Sequence, residues 1–117
     1  MYSGKAQIKK RIGQKGYYGE IALKADFLKE KGLKISFAET VGMEWRDAIS
    51  GGIKYLYEKE ISYRNVGLEV KVEECRSMIV DSSYFVFFYL TNLALSEALH
   101  LKNEITIDDR GNFVIPK

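Results

Sequence analysis

Hydrophobic and polar positions alternate along the chain first with a period of two and then with a period near 3.6. The shorter period is typical of strands with one buried face, and the longer one of helices with one apolar stripe. The pattern predicts, in order, a β-meander over residues 5–38, a helix over 44–60, a strand over 66–73, a helix over 81–102 and a β-hairpin over 104–116. This order predicts an α+β two-layer sandwich.

The predicted meander contains the clearest strand alternation. Ile21, Leu23, Ala25 and Phe27 share one face, and the alternation resumes at Leu33 after a short Lys/Glu/Gly turn. A turn between two alternating segments predicts a hairpin, so the second and third strands are expected to pair. Residues 5–12 alternate more weakly, which indicates an edge strand.

The two predicted helices are expected to cover one face of the sheet. Gly51 and Gly52 in the first helix favour a close approach to the sheet, because Gly otherwise weakens a helix interior. The residues expected to be buried are Trp45, Ile49, Ile53, Leu56, Leu90 and Leu93.

The second helix begins with an unusually apolar segment. Its start is predicted at residues 81–83, where Asp-Ser-Ser offers three possible N-caps, and residues 84–90 are apolar all round. A helix on a sheet buries only one stripe, so Phe85 and Tyr89 are expected to be exposed or covered by a partner. The cover is a second copy of the chain, the N-terminal residues, or the terminal hairpin through Phe113 and Ile115. The predicted solvent side of this helix consists of Asn92, Ser96, His100 and Asn103.

Composition agrees with one domain over residues 1–117. The sequence is 46% hydrophobic with a single Pro and a single Cys. A chain of this length can bury roughly two thirds of its unfolded surface, so it needs no disulfide or metal to fold. Cys75 has no partner for an internal disulfide and no apolar leader is present, which together indicate a cytoplasmic location. The longest apolar run is seven residues, so no membrane span is expected.

Charge is unevenly distributed. Residues 1–34 carry nine Lys or Arg against three Asp or Glu, although the net charge of the whole chain is only +2. A basic segment of this kind can contact phosphate, but lysines on strand edges also serve solubility alone.

Signatures of catalysis are scarce. The glycines between residues 13 and 19 join two strands and open no helix, so they lack the usual geometry of a phosphate loop. Cys75 and His100 are the only candidate nucleophile and base, and about 28 Å of helix is expected between them at 1.5 Å per residue. We therefore expect no enzyme activity, no metal and no cofactor.

Several short motifs carry a family resemblance. In series they resemble domain IV of translation elongation factor G and of related ribosomal protection GTPases, from about residue 6 to residue 99. The motifs are QKGYYG at 14–19, VG at 41–42, AISGGI at 48–53, LEVKV at 68–72 and VDSS at 80–83.

The resemblance implies a ribosomal protein domain 2-like βαβ fold with a left-handed crossover. In the family this domain enters the decoding site of the small ribosomal subunit through a tip of two loops, which correspond here to residues 13–18 and 74–79. The family's tip histidine has no counterpart, since Met78 lies nearest, and the second loop is shorter. The 117 residues contain no GTPase sequence, so we do not expect the complete activity of the factor from them.

Three functions are therefore open. The first is a non-catalytic ribosome- or RNA-binding module without DNA specificity, in which cations contact phosphate and tyrosines stack on bases. The second is a protein-interaction or structural domain that self-associates as a homodimer through Phe85 and Tyr89. The third is an enzyme, because small-molecule kinases share the fold, although their phosphate loop is absent here. The candidate RNA-binding residues are Lys9, Lys10, Arg11, Lys15, Tyr17, Tyr18 and Arg76.

Overall fold

The computed structural model describes residues 1–78 and 80–116. Ile79 of the expected second tip loop and Lys117 of the expected domain lie outside the described residues. The strands are β1 (Tyr2–Ile12), β2 (Lys15–Leu28), β3 (Gly32–Phe37), β4 (Gly67–Arg76), β5 (Thr106–Ile107) and β6 (Phe113–Val114). The helices are α1 (Met43–Leu56), extended by a π turn (Tyr57–Ile61) and a 3₁₀ turn (Ser62–Arg64), and α2 (Tyr84–Leu99).

These elements form the α+β two-layer arrangement that the sequence predicts. The four-stranded sheet has the order β1-β2-β4-β3, and β5 pairs with β6 in a separate hairpin. Helix α2 packs on β1 and β2, and α1 packs beside it. Strands β3 and β4 are parallel and joined through α1, which makes the expected βαβ unit. The hand of this crossover stays a prediction.

The predicted pairing of the second and third strands is wrong. Strand β4 lies between β2 and β3, so residues 5–38 do not form a meander of neighbours. Residues 29–31 cross the end of β4 at Gly67, which is opposite Leu28 on one side and Gly32 on the other. A Cβ atom on Gly67 would lie 2.1 Å from the Glu30 carbonyl oxygen, so the crossing requires glycine there. Alternation identifies a strand but does not identify its neighbour.

The apolar core matches the sequence prediction at four of its six named positions. Ile49, Ile53, Leu56 and Leu90 are buried, whereas Trp45 and Leu93 are half-buried. Phe27 was expected on the buried face of β2 but is exposed and packs edge-on against Tyr2.

The predicted solvent side of α2 is wrong for two of its polar residues. Asn92 is 1% exposed and Ser96 is 3% exposed, while Asn103 is half-buried and His100 is exposed. The Asn92 side-chain amide donates to the carbonyls of Gly52 (3.2 Å) and Phe88 (3.0 Å). Helix α2 contacts the sheet on one side and α1 on another, so it buries more than one stripe.

The two glycines of α1 allow a close contact between α1 and α2. They do not serve the close approach to the sheet that the sequence predicts. A Cβ on Gly52 would lie 2.9 Å from the Phe88 carbonyl oxygen of α2, and one on Gly51 would meet the Tyr84 hydroxyl. The two helices therefore approach closely along the face that contains Asn92.

Element ends differ from the prediction for local reasons. Helix α2 begins after Ser83, whose hydroxyl accepts from the Val86 backbone N–H, because Asp81 and Ser82 bond instead to β2. It ends before His100, which adopts the left-handed conformation. Strand β4 continues to Arg76 through a bulge that leaves Glu73 without a partner on β2.

Candidate nucleic-acid interface

The two loops expected to form the tip meet at Ser82. The β1–β2 hairpin turns at Gly13 and Gln14, with Gly13 in the left-handed region. The Tyr18 N–H donates to the Asp81 carbonyl (2.9 Å), and the Ser82 hydroxyl donates to the Tyr18 carbonyl (2.8 Å). The same hydroxyl accepts from the Met78 N–H (2.9 Å). These bonds join residues 13–18, the end of the second loop and the start of α2.

Strand register divides the candidate cations between the two sides of the sheet. Residues directly opposite each other in an antiparallel pair point to the same side. Lys9 is opposite Tyr18 and Arg11 is opposite Gly16, on the side without helices. Lys10 is opposite the inward-facing Tyr17, on the helix side. All these cations and Lys15 are exposed, but they do not form one cluster on one face.

Tyr17 is not available for base stacking, contrary to the prediction. It is 8% exposed, its hydroxyl donates to the Gly111 carbonyl, and its ring packs edge-on against Phe113 at 5.8 Å. Successive strand residues point to opposite faces, so its neighbour Tyr18 is on the open side, where it is half-buried. Only Tyr18 of the pair remains a stacking candidate.

Arg76 lies on the open side of the sheet and is partly neutralised. Its Nε atom is 3.7 Å from a carboxylate oxygen of Glu20, the residue opposite it on β2. Lys24 and Glu73 form a second ion pair on this side at 3.4 Å. Exposed pairs of this kind contribute little stability, but they reduce the positive potential offered to a phosphate.

Two cavities adjoin at the tip. The first, which we call the open-face cavity, has a volume of about 320 Å³. It is lined by Lys9, Lys10, Arg11, Gly16, Tyr17, Tyr18, Met78 and Asp81. The second, which we call the tip groove, measures about 550 Å³ and lies between the β1–β2 turn, the start of α2 and the terminal hairpin. Its lining includes Lys15, Ser83, Phe85, Asn112 and Phe113, and it shares Gly16, Tyr17 and Asp81 with the first cavity.

The terminal hairpin packs on the aromatic start of α2. Phe113 stacks on Phe85 with ring centres 6.3 Å apart and an angle of 25°, and it also contacts Tyr89 at 5.5 Å. Tyr89 is half-buried, and burial raises the pKa of its hydroxyl. Phe85 remains 53% exposed, so the hairpin covers the predicted interface residues only in part.

Further apolar side chains lie exposed at this end of the molecule, beyond Phe85 and Tyr89, the two interface residues that the sequence predicts. Val80 is 88% exposed, and Met78 and Tyr84 are also exposed. The sequence indicates such exposure where large apolar residues stand in a loop, as Met78 and Val80 do, or directly after an N-cap, as Tyr84 does.

The Cys75 thiol is poorly suited to nucleophilic chemistry. Burial raises the pKa of the Cys75 thiol to about 11, with a smaller contribution from the charge of Glu44, so the reactive thiolate is scarce at neutral pH. Within residues 1–78 and 80–116, no group of three His, Cys, Asp or Glu side chains could hold a metal ion. In the same residues no helix is both long and apolar enough to cross a membrane.

Comparison with known proteins relates the fold of this chain to part of a solved structure. No family model matches the sequence, and no curated protein matches it either. The structure is similar to part of the crystal structure of ttk003000868 from Thermus thermophilus, with a TM-score of 0.71 and 24% sequence identity. The alignment covers 85% of this chain and 16% of that chain. A likeness at this identity establishes a related fold and nothing further.

Proposed function

We propose that the chain is a non-catalytic, cytoplasmic ribosome- or RNA-binding module, related to domain IV of elongation factor G and accessory to translation. The observation that carries the proposal is the exposure of Lys9 and Arg11 beside Tyr18, on the open side of the sheet where the tip loops meet. The motif resemblance and the related fold of the Thermus protein support it. The proposal assigns no catalytic residue, metal or cofactor.

Each tip residue has a distinct role in the proposal. Lys9 and Arg11 contact phosphates, which position a nucleic acid without reading its sequence. Tyr18 offers one ring face to an unpaired base, the usual way in which RNA loops are recognised. Arg76 contributes less than the sequence predicts, because Glu20 competes for its guanidinium group.

Co-sedimentation with small ribosomal subunits at about 50 and about 200 mM salt tests the proposal. Phosphate contacts predict binding that weakens with salt, and Lys9→Gln with Arg11→Gln removes two such contacts. The slope of log affinity against log salt is expected to fall by about 1.4 to 1.8.

The matched control is Lys31→Gln with Lys34→Gln. It removes the same charge at exposed positions at the opposite end of the sheet from the tip. Equal losses in the two double variants would mean that net charge drives binding, and the proposed site would be wrong.

Exposed apolar residues favour a second candidate function, self-association through the start of α2. Phe85 and Val80 are exposed at one end of the molecule, and a symmetric dimer would cover them. Light scattering at tens of micromolar tests this candidate. A mass of twice 13.4 kDa that Phe85→Asp returns to 13.4 kDa is the expected result, and a wild-type monomer excludes a stable dimer.

A further inference from the structure

We propose that the tip groove holds one unpaired nucleotide of a bound RNA, with the base stacked on Phe85 and the phosphate on Lys15. This inference rests on the RNA binding proposed above and adds a second contact region on the helix side of the sheet. It also gives one role to two residues, Lys15 and Phe85, that the sequence assigned to different functions.

The groove is continuous with the proposed phosphate contacts. Gly16, Tyr17 and Asp81 line both the tip groove and the open-face cavity, so only this shared wall separates the two. At Gly16 this wall is thin, because the Asp81 carboxylate packs directly against the glycine and a Cβ there would lie 2.5 Å from it. An RNA strand whose backbone contacts Lys9 and Arg11 can therefore place its next nucleotide in the groove.

Charge favours a polyanion as the occupant. Across the two cavities, four cationic side chains face one carboxylate, that of Asp81. A second copy of this chain would bring the same excess of cations to the contact, whereas an RNA strand brings phosphates. The four cations are Lys9, Lys10, Arg11 and Lys15.

Phe85 and Phe113 form an aromatic side of the tip groove that suits the flat face of an unpaired base. Phe113 holds the Phe85 ring by stacking on it, and Phe113 is itself fixed by its contact with Tyr17. The exposed part of the Phe85 ring is left for a base, and every base has a face that stacks on an aromatic ring. Gln14 and Asn112, both exposed on the groove lining, can donate and accept hydrogen bonds at a base edge.

Fluorescence anisotropy with two labelled RNAs tests the inference. The probes are an oligouridine of about 12 nucleotides and a fully paired RNA duplex of about 12 base pairs, each titrated with the wild-type chain and with Phe85→Ala. Loss of one stacked base is expected to weaken oligouridine binding about tenfold, and to change duplex binding less than about twofold. The salt slope for Phe85→Ala stays at the wild-type value, while Lys15→Gln lowers it by about 0.7.

The matched control is Tyr63→Ala, which removes an aromatic ring that is 69% exposed in the 3₁₀ turn after α1. Its affinity for both probes is expected to equal that of the wild type. Melting curves of both alanine variants check that each is folded.

The outcomes separate this inference from the function on which it rests. If the wild type binds neither RNA at about 50 mM salt, the proposed function fails and the inference with it. If Lys9→Gln with Arg11→Gln weakens oligouridine binding but Phe85→Ala does not, the function stands and the groove is not a nucleotide site. If Phe85→Ala weakens both probes equally, or halves the mass in light scattering, the groove is an interface between proteins.

Discussion

Replacing Asn92 with Asp tests the packing of α1 against α2 through a single ionisable group. The Asn92 amide nitrogen donates to two backbone carbonyls, of Gly52 and Phe88, and the residue is 1% exposed. A carboxylate has no hydrogen to donate there and would face two carbonyl oxygens at about the same distance. Burial and these dipoles both favour the neutral form, so the pKa of the introduced carboxyl is raised in the folded state.

The expected size of the effect follows from the pKa difference. The pKa of the unfolded chain's carboxyl is about 3.9, and buried carboxyls are raised by about 3 to 5 units. Between these pKa values the folded chain binds a proton that the unfolded chain has lost, so stability falls by about 1.4 kcal/mol per pH unit. At pH 7 the loss reaches about 4 kcal/mol, a large part of a typical domain's stability.

Urea unfolding followed by the fluorescence of Trp45, the only tryptophan, measures this dependence from about pH 4 to about pH 7. The control is Asn92→Leu, which has the same branching and the same number of side-chain heavy atoms and removes the same two hydrogen bonds without adding a titratable group. The stability difference between the two variants is expected to be small at the acid end of this range and to grow steadily with pH. A difference that stays constant with pH would mean that the side chain is solvated and that the helix contact is misplaced.

Three other substitutions test the framework of the fold. Tyr17→Phe removes the bond to the Gly111 carbonyl and is expected to cost about 1 kcal/mol in the free energy of unfolding, measured by urea titration. Gly67→Ala places a methyl group against the 29–31 connection, so a loss above about 1 kcal/mol is expected, and a neutral result would contradict the crossing. Ile53→Ala removes a fully buried side chain and is expected to cost about 2 to 5 kcal/mol by thermal unfolding, whereas a cost below half a kcal/mol would place Ile53 outside the core.

Periodicity predicted most of the elements because each strand or helix buries a face of its own chain segment. It could not predict that β4 lies between β2 and β3, since strand partners are chosen by contacts distant in sequence. It also assigned Asn92 to solvent, because polar character alone does not reveal that a neighbouring helix supplies carbonyl acceptors. Composition cannot distinguish a solvated amide from one that is buried and hydrogen-bonded.

The candidate site was predictable in its residue types but not in its arrangement. Exposure of Lys9, Arg11 and Lys15 follows from their charge. Which of the adjacent tyrosines points inward depends on the strand register, which is set by the turn at Gly13 and by contacts with α2 and the terminal hairpin. Lys15 and Phe85 line the same groove although they are far apart in sequence, and neither segment alone indicates this proximity.

The crossing of residues 29–31 over Gly67 has a consequence for how the chain folds. Strands β2 and β3 are neighbours in sequence, and an early hairpin between them would close a loop of only three residues, 29–31. In the native sheet β4 lies between them, and β4 begins about thirty residues after β3 ends. Strands β2 and β3 must therefore stay unpaired with each other until β4 pairs with both. The locally favoured pairing therefore competes with the native one, and escape from it is expected to limit the folding rate.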